Sequence, residues 1–203
     1  METDLSPRVL AAVDTSEITQ LILTERESRD FGHWARMRDC FHDDALIRIS
    51  WITGDADAFV AGSIDMARRG VLAKHRLGPV RVHLNGDRAV ASLSGIIDIP
   101  SQVDGIEVHL ASHARFLYRA ERRDGRWRLS GFDGVYRRDE LVPVVPGQVL
   151  RVDAAMLAQY RPAYRFLSYV LSRNGYDVNG DLPGEDQPER VAALEKELFG
   201  WAG

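Results

Sequence analysis

Two kinds of hydrophobic spacing divide the chain. Up to about residue 70, apolar residues recur every three or four positions, as Ile18, Leu21 and Ile22 do, and this spacing predicts helices. Asp14, Thr15 and Ser16 offer N-cap side chains for the first helix, which the pattern ends near Phe31-Gly32. The same spacing predicts a second helix over residues 33–42 and a third over residues 56–69. Between these helices, β-branched and apolar residues predict a strand over residues 45–52.

From about residue 80 the hydrophobic period becomes two. Val80, Val82 and Leu84 alternate with polar residues, and Asn85-Gly86 is a strong hairpin signal before a return strand over 89–99. A loop is predicted over 100–105, and a second long hairpin then pairs residues 107–122 with 126–137. Helices first and long antiparallel strands afterwards predict an α+β fold rather than an alternating parallel sheet.

A proline-rich segment at 141–147 predicts the one domain boundary, because each proline fixes the backbone and removes a hydrogen-bond donor. The sequence therefore predicts an α+β domain over 1–145 and a helical extension over 146–203. Helical signals in the extension lie over 153–160, over 163–173 and from Asp186 onward. A lid over a pocket, a dimer clasp and a packed strut are all compatible with these signals.

Composition narrows the class of protein. With 203 residues, 45% hydrophobic, 28% charged and a net charge of -4, the chain is typical of a globular protein and unlike a disordered or fibrous one. The charge gives no broad attraction to nucleic acid or anionic membrane, and the basic cluster over 115–128 is typical of a solvated hairpin. No apolar run reaches the ~20 residues of a membrane span, and METDLSPRVL lacks the order of a secretory signal. Cys40, the single cysteine, indicates a reducing compartment, so a cytoplasmic protein is expected.

Five short sequence words occur in the order of a known family. They are RDFGHW, CFHDDA, KHRLG, NGDRA and RRDGRW, starting at residues 29, 40, 74, 85 and 122. Together with the order of elements, they resemble the SnoaL-like group of the nuclear transport factor 2-like superfamily over residues from about 8 to 140. That group includes polyketide cyclases, scytalone dehydratase-like enzymes, a hexachlorocyclohexane dehydrochlorinase and ketosteroid isomerases. The resemblance implies a cone-shaped, cystatin-like curved antiparallel sheet wrapped around the N-terminal helices.

In the dehydratase and dehydrochlorinase branches, the resemblance implies a catalytic dyad. Asp30 matches the aspartate at the end of the first helix, His75 the histidine at the start of the long hairpin, and His113 a second pocket histidine. The scytalone dehydratase-like enzymes hold a water with tyrosines where this sequence has Arg29 and Trp51, so that particular hydration chemistry is not implied here.

The chemistry of the dyad follows from its residue types. His75 would act as a base near neutral pH, and Asp30 would fix its tautomer and stabilise the imidazolium that forms, with no metal or cofactor required. The alternatives are a loop histidine bonded to backbone for His75, a solvated residue for Asp30 and the outer face of the sheet for His113. His42-Asp43-Asp44 contains metal-ligand types, but consecutive residues after a helix favour a surface turn. Aromatic and apolar residues that fit a pocket lining, or else a plain core, are Trp51, Phe59, Met66, Phe116 and Trp127.

The sequence thus predicts a cofactor-independent lyase or isomerase of dehydratase, dehydrochlorinase or cyclase type, acting on a small apolar cyclic molecule. One alternative is a non-catalytic protein of the same fold that binds a small ligand or associates with another subunit. Another is an accessory subunit resembling the small subunit of aromatic-ring dioxygenases. A homodimer or higher homo-oligomer is also expected, because apolar residues recur along the predicted sheet at Val90, Leu93, Ile96, Phe116 and Leu117.

Overall fold

The computed structural model describes residues 6–203, so the first half of the segment inspected for a secretory signal lies outside the described residues. Among these residues, three α-helices belong to the first part of the chain and three to the extension: α1 Pro7–Phe31, α2 Trp34–Asp39, α3 Ala56–Arg68, α4 Ala154–Leu157, α5 Arg165–Arg173 and α6 Pro188–Ala202. A short 3-10 helix, Pro162–Tyr164, precedes α5. Seven strands form one sheet: β1 Phe41–Ile49, β2 Ile52–Gly54, β3 Lys74–Leu77, β4 Arg81–Asn85, β5 Arg88–Val103, β6 Ile106–Arg123 and β7 Arg126–Pro143.

The sheet is curved and open, and the α+β prediction is confirmed. Its strand order is β2-β1-β7-β6-β5-β3, with β4 also paired to β5. The two predicted hairpins, β4–β5 and β6–β7, are antiparallel as predicted. β1 runs parallel to β7, which makes the sheet mixed. Register shifts in the β6–β7 ladder, between His113 and Ala114 and between Arg119 and Ala120, bend the strands.

Several element boundaries differ from the sequence prediction. α1 begins at Pro7, so Asp14 lies inside the helix; its carboxylate accepts hydrogen bonds from Arg122 and Trp127 instead of capping a helix. β1 begins at Phe41, within the residues predicted to be helical, because Phe41 pairs with Leu129 of β7 and both side chains are buried. Tertiary pairing here overrides the local helical spacing. The predicted loop over 100–105 is mostly strand, since β5 continues to Val103.

The concave face of the sheet and the helices around it enclose the main core. α1 contributes Ile18 and Ile22 to this core, and both are fully buried. Gly95 of β5 leaves room for the ring of Phe116, because a Cβ atom at position 95 would lie 2.4 Å from that ring. That ring therefore occupies the floor of the concave face, which becomes part of the site described below.

The extension packs on both faces of the sheet. On the concave side, Leu167 and Leu171 of α5 are buried in the main core. On the opposite side, Leu194 and Leu198 of α6 form a second, smaller cluster with Val90, Leu117, Val135 and Ala202. Two of the five residues on which a homodimer was expected, Val90 and Leu117, are therefore covered by the chain's own last helix. The homodimer remains a prediction, but their burial does not require a partner subunit.

None of the helices among residues 6–203 has the length and apolar character that crossing a membrane requires.

Candidate functional site

Asp30 and His75 contact each other through two hydrogen bonds. The imidazole Nδ1 of His75 lies 2.6 Å from Oδ1 of Asp30, and the backbone N–H of His75 donates to Oδ2 at 2.7 Å. The side chains of His75 and Asp30 are only 4% and 8% exposed. Because a carboxylate only accepts, Nδ1 carries the proton, and Nε2 keeps its lone pair.

Local structure explains why these two residues meet. Gly32 has a φ of 76°, a left-handed conformation that ends α1 directly after Asp30 and Phe31. β3 is the edge strand beside β5, so the N–H of His75 that points away from β5 needs another acceptor. Asp30 supplies it, and Lys74 donates to the backbone carbonyl of Asp30. Together these contacts give hydrogen-bond partners to a backbone carbonyl at the end of α1 and to a backbone N–H at the edge of the sheet.

Burial and neighbouring charges set the protonation states of the pair. Burial lowers the pKa of His75 to about 4, and the positive charges of Arg26 and Arg29 act in the same direction, against the hydrogen bond to Asp30. Burial alone would raise the pKa of Asp30, but the hydrogen bonds from His75 and the charge of His75 outweigh it and lower the pKa. At neutral pH the pair is thus a neutral imidazole held by a carboxylate.

His75 lines a cavity between the concave face of the sheet and the extension. The cavity volume is about 30 Å³, which is room for about two water molecules at ~10–15 Å³ each. Its walls are mainly apolar, and Leu167 and Leu171 of α5 close one side. The polar side chains at the wall include His75, Arg26 and Arg29. A base and two guanidinium groups therefore share one small apolar space.

Arg26 is neutralised within the protein. Its guanidinium donates two hydrogen bonds to the neighbouring carboxylate of Glu25, which also accepts from the hydroxyl of Tyr118 at 3.3 Å. Burial by itself lowers the pKa of Arg26, but Glu25 outweighs burial and raises it. The guanidinium also lies 4.9 Å from the ring centre of Phe132. The Arg26–Glu25 pair as a whole carries no net charge that could bind an anionic ligand.

Arg29 differs because it has no carboxylate within 4.0 Å among residues 6–203, and its side-chain hydrogen bond is to the thioether of Met66 at 3.7 Å. Its guanidinium lies 6.0 Å from the ring centre of Trp51. Burial, and then the charge of Arg26, lower the pKa of Arg29 to about 10, so the group still carries its charge at neutral pH.

The structure places the five predicted lining residues in two groups. Trp51, Met66 and Phe116 line the cavity, and the Phe116 ring lies 5.9 Å from the imidazole of His75. Phe59 is fully buried behind Trp51, at 5.6 Å between ring centres, and belongs to the core. Trp127 lies under α1, where its Nε1–H donates to Asp14 at 2.9 Å. In contrast to the expectation, the structure places Phe59 and Trp127 in the core and not at the wall of this cavity.

His113, expected as a second pocket histidine, does not line this cavity. Side chains alternate along β6, and Phe116 and Tyr118 point to the concave face whereas Leu117 contacts α6 on the other. His113 shares the parity of Leu117, and its Nε2 lies 3.7 Å from Glu140. It is therefore separated from the cavity by the sheet itself.

The segment His42-Asp43-Asp44 does not converge on one point. His42 hydrogen-bonds the carbonyl of Glu121 at 3.0 Å, whereas Asp43 and Asp44 pair with Arg38 and Arg123 respectively. Within residues 6–203, no group of three or more histidine, cysteine or acidic side chains is placed to hold a metal ion.

Sequence reasoning did not identify Arg26 and Arg29 as site residues. The available signal was their position, because Glu25, Arg26 and Arg29 continue the buried face of α1 begun by Ile18 and Ile22. Charged residues on the apolar face of a helix indicate a placed role, since an unpaired buried charge is costly. Leu167 and Leu171 gave no comparable signal, because only the fold brings α5 to the cavity.

Comparisons with known proteins agree with this architecture. Residues 11–133 match the SnoaL-like domain. An uncharacterised protein of Emericella nidulans is 32% identical over 178 residues, which cover 83% of this chain and 74% of that protein. Among solved structures, an NTF2-like protein with a cystatin-like fold from Novosphingobium aromaticivorans is similar at a TM-score of 0.56 and 20% identity, covering 79% of this chain and 97% of that one. A hexachlorocyclohexane dehydrochlorinase, LinA type 2, has a TM-score of 0.54 and 21% identity, covering 71% and 97%.

Proposed function

Because the chain belongs to the SnoaL-like domain family, we propose that it is a cofactor-independent lyase or isomerase in which His75 is the base and Asp30 orients it. One observation carries the proposal: Nδ1 of His75 lies 2.6 Å from Asp30 at the wall of an apolar cavity. The dehydrochlorinase of similar fold performs an elimination, which is within the chemistry open to such a pair. Fold likeness alone does not transfer its substrate.

The proposed reaction begins with a proton on carbon. Nε2 of His75 takes that proton, and Asp30 stabilises the resulting imidazolium through the Nδ1–H bond. In an elimination, the C–H electron pair becomes the new double bond and the leaving group departs with its own pair. In an isomerisation, the same imidazolium returns the proton to another carbon. Both reactions need a small molecule held against His75 without bulk water.

The small cavity volume supports a second candidate. A space of about 30 Å³ does not hold a ring, so a cyclic substrate must displace side chains such as Leu167, Leu171 or Trp51. A cavity that stayed closed would favour the non-catalytic alternative, in which the fold serves for binding or association. Soaking experiments and native mass spectrometry of the purified protein would show whether a ring compound occupies this space.

Turnover by paired variants tests the catalytic proposal. The assays follow chloride release from hexachlorocyclohexane and the absorbance of the enone formed from a cyclic β-hydroxyketone, with a chelator present. His75→Gln and Asp30→Asn keep the volume and a hydrogen-bonding group, and each should lower kcat/KM by about 10²- to 10⁴-fold. The melting temperature should change little, because neither substitution opens a cavity in the core.

The chain offers a matched control. His109 and Asp98 form another histidine–aspartate contact, 2.9 Å from Nε2 to Oδ1, but the imidazole is 44% exposed and lies outside the cavity. His109→Gln should leave turnover unchanged. Full activity in His75→Gln would refute the base assignment, and binding of a substrate without turnover by the unmodified protein would favour the non-catalytic alternative.

A further inference from the structure

Arg29 is a charged group that the fold buries with no carboxylate in contact among residues 6–203. It is 9% exposed, it lines the cavity, and its near polar neighbour is the thioether of Met66 at 3.7 Å. A thioether is a weak acceptor that cannot balance a full positive charge. The other arginine of the cavity, Arg26, is paired with Glu25. Only one of the two cations at this wall is therefore available to a ligand.

Asp30 does not take the role of partner for Arg29. Both carboxylate oxygens of Asp30 accept hydrogen bonds from His75, one from the backbone and one from the ring. No contact of 4.0 Å or less joins Asp30 to Arg29 within the part of the chain that the structure covers. The carboxylates of Asp30 and Glu25 act on Arg29 without a contact of 4.0 Å or less, and burial outweighs them, so the pKa of Arg29 is lowered overall. A buried cation with no contacting carboxylate is costly, and such groups are found where they bind something.

We propose that Arg29 is the anion-binding residue of the cavity, and that the substrate is an apolar ring carrying an ionised oxygen group such as a carboxylate, bound by the Arg29 guanidinium. The inference rests on the proposed function and sharpens its substrate class. A planar guanidinium suits an oxygen anion, and the surrounding apolar wall suits the ring. Trp51, whose ring centre lies 6.0 Å from the guanidinium, supplies an aromatic wall against which the ring of the ligand can pack.

Anion binding at Arg29 would also strengthen the base. The charge of Arg29 is one of the causes that lower the pKa of His75. A bound oxygen anion neutralises that charge, so it raises the affinity of His75 for a proton, and by reciprocity a protonated His75 binds the anion more tightly. Negative charge that grows on the substrate oxygen as His75 takes the proton is thus stabilised at the same residue.

Benzoate and benzamide are a suitable probe pair, because they share one shape and differ in charge. Isothermal titration at pH 7.5 in chloride-free buffer should show benzoate binding about tenfold or more tightly than benzamide. Arg29→Met should abolish this preference. Arg81→Met removes the same charge from an exposed position on β4 and should keep it. The melting temperature of Arg29→Met should equal or exceed that of the unmodified chain, because a buried unpaired cation is removed.

Each other outcome overturns the proposal. Equal affinities for the two probes, no binding of benzoate, or a benzoate preference that survives Arg29→Met would each refute it. Strong competition by chloride at constant ionic strength would assign the site to a leaving halide and refute the oxygen-anion class. A structural Arg29 would instead lower the melting temperature on substitution and leave the preference intact. His75→Gln should keep the preference while losing turnover, so this proposal and the proposed function fail independently.

Discussion

Protonation of His75 should destabilise the protein in mild acid. The size of the loss in the free energy of unfolding follows from the pKa of this buried imidazole. The histidine pKa falls from 6.5 to about 4 on folding. A group with a lowered histidine pKa contributes stability that is present above pH 6.5 and is lost as the pH falls toward the folded value. At pH 4.5, two pH units below 6.5, the loss is about 2–3 kcal/mol in the free energy of unfolding, at ~1.4 kcal/mol per unit. The side chain is 4% exposed, so solvent screening takes little from this value.

Urea denaturation of the unmodified chain and of His75→Gln, at pH 7.5, 5.5 and 4.5, measures this effect. Glutamine does not titrate and can still donate to Asp30, so the difference between the two chains isolates the imidazole. The unmodified chain should lose about 2–3 kcal/mol more than His75→Gln between pH 7.5 and 4.5. His109→Gln, which removes an exposed histidine, should behave as the unmodified chain does. Parallel pH profiles for the unmodified chain and His75→Gln would refute the burial argument for this base.

Two further predictions concern the extension. The carboxylate of Asp139 accepts a hydrogen bond from the N–H of Leu167 at 2.7 Å, and burial raises the pKa of this carboxyl group to about 6. The contribution of Asp139 to the free energy of unfolding is therefore present in acid and is lost as the pH rises through 6. Asp139→Asn keeps a hydrogen-bond acceptor but cannot be ionised, so it should raise the free energy of unfolding by roughly 1–3 kcal/mol at pH 7.5 and leave it unchanged near pH 4. Urea denaturation measures this difference, and a free energy of unfolding that did not rise at pH 7.5 would contradict the prediction. Leu198→Glu places a charge in the buried cluster between α6 and the sheet, so it should displace α6 and expose the apolar face of the sheet. This variant should show concentration-dependent self-association in analytical ultracentrifugation, whereas Ala192→Glu, on the exposed side of α6, should not. Identical sedimentation of the two variants would show that α6 does not cover an adhesive face.

Local sequence determined the elements with strong periodic or turn signals. The Asn85-Gly86 hairpin, the long hairpin around Asp124-Gly125 and helix α3 follow from spacing and turn residues alone, because each depends on contacts between near neighbours. The end of α1 at Gly32 could also be predicted from the sequence, because the left-handed backbone conformation that ends a helix favours glycine. These elements sufficed to predict an α+β class.

Long-range pairing decided the features that local sequence could not determine. Phe41 joins a strand rather than a helix because Leu129, far along the chain, pairs with it, and β1 is parallel to β7 for the same reason. The face on which His113 lies depends on which side of β6 meets α6, and an alternation of side chains does not say which face is inward.

The candidate site divides in the same way. The positions of Asp30 and His75 were predicted from a family resemblance, whereas their hydrogen bonds depend on the edge strand β3 meeting the end of α1. Within the described residues, the contact of Arg29 with a thioether instead of a carboxylate and the closure of the cavity by Leu167 are properties of the assembled fold. The sequence by itself determined which residue types were available and where helices and hairpins begin and end. Only tertiary structure decided which charges are buried together, because burial and distance, which set pKa values and binding, arise when segments remote in sequence pack.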